Sequence, residues 1–257
     1  MDRLGDLGSG ANTSDALAQP IGFAVADWTP RPRPARTPMQ GRRCRVEPLD
    51  VERHAADLHA ANGLDVSGRM WTYLSMGPFA DLDAYRGWLT HLPASEDPLF
   101  FAIVDSASER AVGLASYLRM DPANGVIEVG NLQFSPLLQR TPLATEAMFL
   151  MMQRVFDELG YRRYEWKTDS LNASSRAAAA RFGFTFEGIY RQAVIYKARN
   201  RDTAWFSMLD REWPRIRPAF ERWLDPANFD AHGRQHVRLS ELTATTAALL
   251  PGLPVDD

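Results

Sequence analysis

The side chains able to do chemistry gather in one stretch, VIEVGNLQFSPLLQRTPLATEAMFLMMQRVFDELG, from Val126 to Gly160. It reads as a buried strand, a tight connection and a long apolar helix. Glu128 sits within the strand among Ile127, Val129 and Leu132. Burial there would push its carboxyl pKa upward, which suits a general base. The competing reading is a Glu on the exposed face of a half-covered strand. Thr141 is a good helix N-cap, and Pro142 suits the first helical position, where a missing N–H costs nothing. A strand feeding a helix start whose backbone N–H groups are free makes a ready site for an anion such as a pyrophosphate. Further on, Asn172 caps a short helix, ASSRAAAARF, that Gly183 closes.

Other reactive side chains have weaker cases. The single Cys44 excludes an internal disulfide and fits a reducing compartment, and no His neighbours it as a nucleophile's partner would. His232 and His236 stand at i and i+4, but with no acidic partner nearby they read as surface residues, so no metal is expected. A net charge of −3 gives no reason to expect nucleic acid. There is no run of about 18 apolar residues and no apolar signal core, so neither a membrane span nor export is expected, and a cytoplasmic location is the default.

The elements that must position these residues follow from periodicity and turn chemistry. With 257 residues the chain can bury one sizeable core with a small annex. Residues 1–39 read as an extended, flexible N-terminal arm ending in the Pro/Arg-rich TPRPRPARTP. A folded domain is expected over residues 40–211. It begins with a strand, Arg42 to Pro48, and a helix capped by Asp50. A second helix starts at Asp81, with Leu82, Tyr85, Leu89 and Leu92 on one face. Strands follow at Pro98–Val104, Ala111–Met120 and from Val126, the last after an Asn124-Gly125 turn. After the long helix come a strand at Tyr164–Thr168, parallel to the Val126 strand by the crossover rule, and the Asn172 helix. Two final strands, Phe184–Gln192 and Thr203–Leu209, are joined through KARNRD. Residues 212–257 read as a helix and tail: Trp213, Ile216, Phe220 and Trp223 form an apolar stripe. The stripe suits an oligomer contact, such as a homodimer, or packing on the chain's own core, and the second reading is adopted.

In this order of elements the chain resembles the GNAT acetyltransferase superfamily, and within it the branch that acetylates the N-termini of ribosomal proteins. The resemblance is carried by IEVGNLQF, LLQRTPLATEA, LNASSRAAAARFGFTFEGIYRQ and RDTAWFSML, and it spans roughly Arg42 to Asp210. It implies a mixed α/β fold with a mostly antiparallel sheet, one splayed parallel strand pair and flanking helices. It also implies transfer of an acetyl group from acetyl-CoA to a primary amine, on a small molecule or a peptide N-terminus, by direct attack in a ternary complex.

Carried over residue by residue, the resemblance implies that Gln139, Arg140, Thr141, Leu143 and Ala144 surround the CoA pyrophosphate. Pro142 stands where the family's first loop glycine would, so one amide is lost. Leu132, Gln133 and Phe134 would offer backbone groups to the pantetheine arm, and Asn172 its side chain. Glu128 matches the branch's strand base. Many relatives protonate the leaving thiolate with a Tyr seven residues after the Asn, but that position is Ala179, so Ser175 is the expected donor. Trp71, Tyr73 and Tyr190 are the expected acceptor walls. The alternative is a CoA-binding module without transfer, which the Pro142 and Ala179 departures keep open.

Overall fold

The computed structural model describes residues 13–244. Residues 1–12 of the arm and 245–257 of the tail lie outside the described residues. The chain divides into two compact units, one ending at Pro30 and one beginning at Arg31. In the first, β1 (Thr13–Ser14) and β2 (Pro20–Ile21) pair as a small antiparallel hairpin. The Asp15 carboxylate holds its turn by accepting from the Leu17 and Gln19 amides.

The second unit begins nine residues before the boundary read from composition, at Arg31 rather than residue 40. Arg154 donates to the carbonyls of Thr37 and Pro38 at 2.7 and 3.2 Å. Strand β3 (Met39–Gln40) joins the sheet edge. The Pro/Arg-rich composition suits an extended backbone, but extended backbone can equally be pinned along a body, and Arg31–Met39 belongs to that unit.

The unit is built on one eight-stranded sheet in the order β3-β4-β5-β6-β7-β8-β10-β9. Its further strands are β4 (Cys44–Pro48), β5 (Leu99–Asp105), β6 (Ala111–Asp121), β7 (Val126–Phe134), β8 (Arg163–Asp169), β9 (Thr185–Tyr196) and β10 (Arg199–Leu209). All neighbouring pairs are antiparallel except β7 with β8. Helices α1 (Val51–Gly63) and α2 (Leu82–Leu89) cover one face and bury Leu58, Tyr85 and Leu89 against Phe100, Ala102 and Leu114. Helices α3 (Pro142–Gln153) and α5 (Trp213–Leu224) cover the other, over Phe101, Ile103, Ile127 and Val129. The strand alternation of β5 thus divides Phe100 and Phe101 between two cores. The expected mixed α/β fold is the one found.

The long helix is regular to Gln153 and then takes a π turn over Arg154–Glu158 before Gly160, at φ 67°, ends it. Helix α4 (Ala173–Arg181) follows β8, and a short helix, α6 (Leu239–Ala244), closes the described chain. The tail stripe lies on the chain's own core. Phe220 is fully buried and stacks on Phe149 at 5.3 Å, and Trp213 stacks on Phe156 at 5.2 Å.

KARNRD is not a six-residue connection. The β9–β10 turn is Lys197-Ala198 alone, with φ of 47° and 56°. Two positive φ values define a type I′ hairpin, and neither residue is one of the glycines or asparagines that advertise it.

Two β-bulges shape the centre of the sheet. On β7, three residue steps from Gly130 to Gln133 face two steps on β6 from Ser116 to Leu114. Asn131 takes φ 52° there and donates to Ser116 Oγ at 2.9 Å, while that hydroxyl donates to Gly130 O. On β6 the bulge is at Arg119, φ 47°, and Asp97 accepts from the amides of Arg119 and Met120 at 2.8 and 2.9 Å. Bulges bend a strand and end its pairing. After Val129–Trp166, β7 no longer pairs with β8, although β7 stays with β6 to Phe134 and β8 stays with β10 to Asp169.

Asn tolerates left-handed backbone and a β-branched residue does not. Asn131→Val should therefore cost about 1–3 kcal/mol of stability. Asn131→Gly should cost less, through the lost bond to Ser116. Urea unfolding of both variants checks the order; equal losses would mean that Asn131 is not held by its backbone conformation.

Candidate active site

The unpaired edge of β7, the start of α3 and the start of α4 enclose one long groove of ≈ 2170 Å³. Drug-sized ligand sites run to about 300–1,000 Å³, so the groove has room for a larger, extended ligand. One end lies against α3 and α4, and the other reaches Tyr73, Tyr190 and Trp205.

At the first end the Thr141 hydroxyl donates to Leu138 O at 2.7 Å and accepts from Ala144 N at 3.2 Å. It caps α3 as expected. Pro142 has no N–H, and the Thr141 amide leans on Leu138 O at 3.3 Å. Leu143 N–H, at the second helical position, has no intrahelical acceptor. Leu143 itself turns its side chain to the core. Gln139 donates to Phe134 O at 2.6 Å and ties the loop to the end of β7. Arg140 stands in left-handed backbone, φ 60°, exposed at the groove rim. Ala144 lines the groove where it meets the helix.

Along the opened edge, Leu132 and Phe134 line the groove. The Gln133 side chain points away: it is buried and its Oε1 accepts from Tyr85 OH at 3.1 Å, leaving only its backbone to offer. Across the gap, Asn172 Oδ1 accepts from Ser175 N at 3.1 Å as the N-cap of α4. Its Nδ2 remains for a ligand. The Ser175 hydroxyl accepts from Trp166 Nε1 at 3.0 Å and so keeps its own hydrogen to donate. Ala179 is fully buried.

Glu128 is only 3 % exposed, which excludes the exposed-face reading. It is not alone. Arg119 Nη1 spans its two oxygens at 2.7 and 2.8 Å, and Lys167 Nζ stands 2.9 Å from Oε2. Lys167 also reaches Glu165 at 2.7 Å and lies over the Trp205 ring at 3.7 Å. Burial raises the Glu128 pKa, and the charges of Lys167 and Arg119 oppose that rise. Neither cation was singled out from sequence. Arg163, Glu165 and Lys167 alternate along RYEWKTD, so their shared face was readable; its meeting with Glu128 needed the β7–β8 register, which pairs Glu128 with Glu165.

The acceptor walls divide. Tyr73 and Tyr190 line the groove, and Tyr190 packs on Trp205 at 4.5 Å. Trp71 does not. Its ring is 6 % exposed, set edge-on to Phe79 at 5.6 Å in the core under α1 and α2. The close Gly77 backbone leaves no room for a side chain over that ring. An aromatic residue in an aromatic-rich segment is as readily core as wall, and Trp71 is core. Its backbone still matters: Lys197 Nζ donates to Trp71 O and Arg199 Nη2 to Thr72 O, both at 2.8 Å, while Tyr73 OH donates to Leu171 O at 3.1 Å. These bonds tie the 71–73 segment to the β9–β10 turn and to the chain before α4.

The Cys44 thiol is buried, and burial pushes its pKa far up, beside Glu146, which accepts from its amide. Among the described residues no group of three or more His, Cys, Asp or Glu could hold a metal ion, nor is any helix long and apolar enough to cross a membrane.

The family model of the acetyltransferase (GNAT) domain matches residues 43–185, more than half of the chain. The chain belongs to the GNAT acetyltransferase family. A GCN5-related N-acetyltransferase from Brucella melitensis is 49% identical, with a TM-score of 0.84 over 86% of this chain and 100% of that one. A probable GNAT acetyltransferase from Chromobacterium violaceum is 45% identical, with a TM-score of 0.71 over 76% and 98%. A putative ribosomal-protein-serine acetyltransferase from Vibrio cholerae shares the fold at 15% identity, with a TM-score of 0.58 over 67% and 97%. No protein of curated function matches the chain in sequence. The GNAT match makes the chain an acetyltransferase, of a family that uses acetyl-CoA.

Removing one member of a buried charge set leaves the others uncompensated. Lys167→Met should cost about 3–5 kcal/mol at neutral pH. The folded pKa of Glu128 already lies above its unfolded value, and losing Lys167 raises it further. The cost is then full above that folded pKa and shrinks as pH falls through it, because protonation removes the stranded charge. Urea unfolding of variant and parent at several pH values reads this; a cost that grows on acidification would contradict it.

Proposed function

We propose that the chain is an acetyl-CoA-dependent N-acetyltransferase that acts on a primary amine by direct attack, with Glu128 as the base. The observation that carries this reading is the buried Glu128 at the point where β7 and β8 part. One carboxylate there lies beside the unpaired strand edge, in the same groove as the helix start. Acetyl-CoA would run from the first turn of α3, with Arg140 and the Leu143 amide at its pyrophosphate; the Thr141 hydroxyl, already donating to Leu138 O, serves by holding the helix start in place. Its pantetheine would lie along Leu132–Phe134 to Asn172 Nδ2. The fit is good: the groove supplies donors where phosphate would sit and a bare strand edge where amides would.

An alkyl amine with a pKa near ~10 arrives protonated. Glu128, directly or through water, takes that proton, and the freed lone pair attacks the thioester carbonyl. As the C–S bond breaks, the Ser175 hydroxyl donates to the leaving sulfur while Trp166 holds its oxygen. Arg119 is 60 % exposed along its side chain, so an entering ammonium can share Glu128 with it; Lys167 stays fixed beneath. The acceptor enters past Tyr73 and Tyr190. It is a small amine or a peptide N-terminus, and the motif resemblance favours the ribosomal-protein branch.

Thermal unfolding with saturating acetyl-CoA should rise by several degrees, as any ligand bound only to the folded state requires. Free-thiol release with a panel of small amines and peptides then reads transfer. Binding without release from any acceptor would make the chain a CoA-binding module instead.

Glu128→Gln should lower kcat/KM by about 10²–10⁴-fold and leave acetyl-CoA affinity intact. Arg119→Gln removes a charge that holds the Glu128 pKa down, so the acidic limb of the kcat/KM–pH profile should move to higher pH. A limb that stays in place would assign the base elsewhere.

A further inference from the structure

The groove extends beyond the start of α3 to a loop that the family match does not include. After α5, the chain from Phe229 to Arg238 folds back and contributes Phe229, Arg234, His236 and Arg238 to the groove wall. The loop is firmly built. Buried Asn228 donates from Nδ2 to Trp223 O and Val237 O and accepts from Val237 N at 2.9 Å. Phe229 bridges Gln235 across the turn, and Trp223 Nε1 donates to Gln235 at 2.7 Å.

Facing this loop, at the last residue of α4, is Arg181. Its Nη1 donates to Thr145 Oγ1 in the first turn of α3 at 3.1 Å, and its guanidinium lies over Trp223 at 4.8 Å. It is partly buried at the groove wall, and burial lowers its pKa with no carboxylate opposing the shift. Among the described residues no ion pair is formed by Arg181. Other groove cations nearby are already engaged: Asp230 holds Arg234 at 2.9 Å. Arg238 is 74 % exposed and reaches Glu241 only at 3.9 Å, so it stays available.

A desolvated guanidinium without a counter-ion is costly unless an anion completes it. Arginine's planar fork on an aromatic face is suited to phosphate oxygens. CoA carries two sets of phosphates, the pyrophosphate and the 3′-phosphate of its nucleotide. The pyrophosphate has the helix start. We propose that Arg181, together with Arg238 from the appended loop, binds the 3′-phosphate of CoA, so that a segment outside the family domain completes the nucleotide end of the site. This rests on the acetyl-CoA reading above.

Isothermal titration of the full chain with CoA and with dephospho-CoA, which lacks only the 3′-phosphate, tests this. The parent should bind CoA tighter by about tenfold or more, the scale of a charge-assisted bidentate contact. Arg181→Gln should weaken CoA by a similar factor, leave dephospho-CoA unchanged, and bring the ratio near one. Arg238→Gln, at an exposed position that does not threaten folding, should lower the ratio about threefold. Equal binding of both ligands by the parent, or an unchanged ratio in Arg181→Gln, overturns the proposal and leaves the acetyl-CoA reading standing. No binding of either ligand overturns both. If Arg181→Gln does not fold, Arg181→Lys must retain the preference and Arg238→Gln must reduce it; an unchanged ratio in Arg238→Gln then counts against the site.

Discussion

The parting of β7 from β8 after Val129–Trp166 is the constraint on which the rest of the molecule depends. A parallel pair inside a sheet ordinarily satisfies every backbone group on its shared edge. Here four residue pairs form and then stop, because Asn131 takes a left-handed conformation and bends β7 away. The bend is stabilised locally by the Asn131–Ser116–Gly130 hydrogen bonds. What it creates is a bare strand edge leading from the start of α3 into the centre of the sheet. A fold keeps such an edge only where something else can satisfy it, and an extended amide-containing ligand can do so in the manner of an added strand.

A second bulge, at Arg119, turns this opening into a chemical site. Asp97 takes up the amides freed there, and the Arg119 side chain is thereby aimed at Glu128. The carboxylate is held by one exposed and one buried cation, and the two differ in what they can do. Lys167 is clamped by Glu128, Glu165 and the Trp205 face, and cannot leave without stranding two charges. Arg119, 60 % exposed along its side chain, can turn out to solvent, where its own charge is hydrated. Burial raises the Glu128 pKa, and the charges of Lys167 and Arg119 oppose that rise.

Much of this was legible in the residues. The caps at Asp50, Asp81, Thr141 and Asn172 all bond as their types require, and the tail stripe packs at helical spacing against α3. Such signals are local, so a sequence carries them intact. What was not legible depends on register or on the choice between equivalent surfaces. The bulges take their left-handed backbone at Asn131 and Arg119 rather than at a glycine, and the Lys197-Ala198 turn has no Asn-Gly. Trp71 and Tyr73 come from one aromatic-rich segment, yet one ring entered the core and the other the groove. Arg181 looks like an ordinary helix-end cation until α5 brings Trp223 beneath it.

The most direct measurement of the central claim is hydrogen exchange at single-amide resolution, with and without acetyl-CoA. The amides from Gly130 to Phe134 and that of Leu143 should exchange readily in the free protein where the β8-facing edge is open, and slow on binding, since protection follows hydrogen bonding and burial. The exposed β9 edge should not change. Slowing confined to other elements, with Gly130–Phe134 unaffected, would mean that the parted strands do not hold the donor substrate.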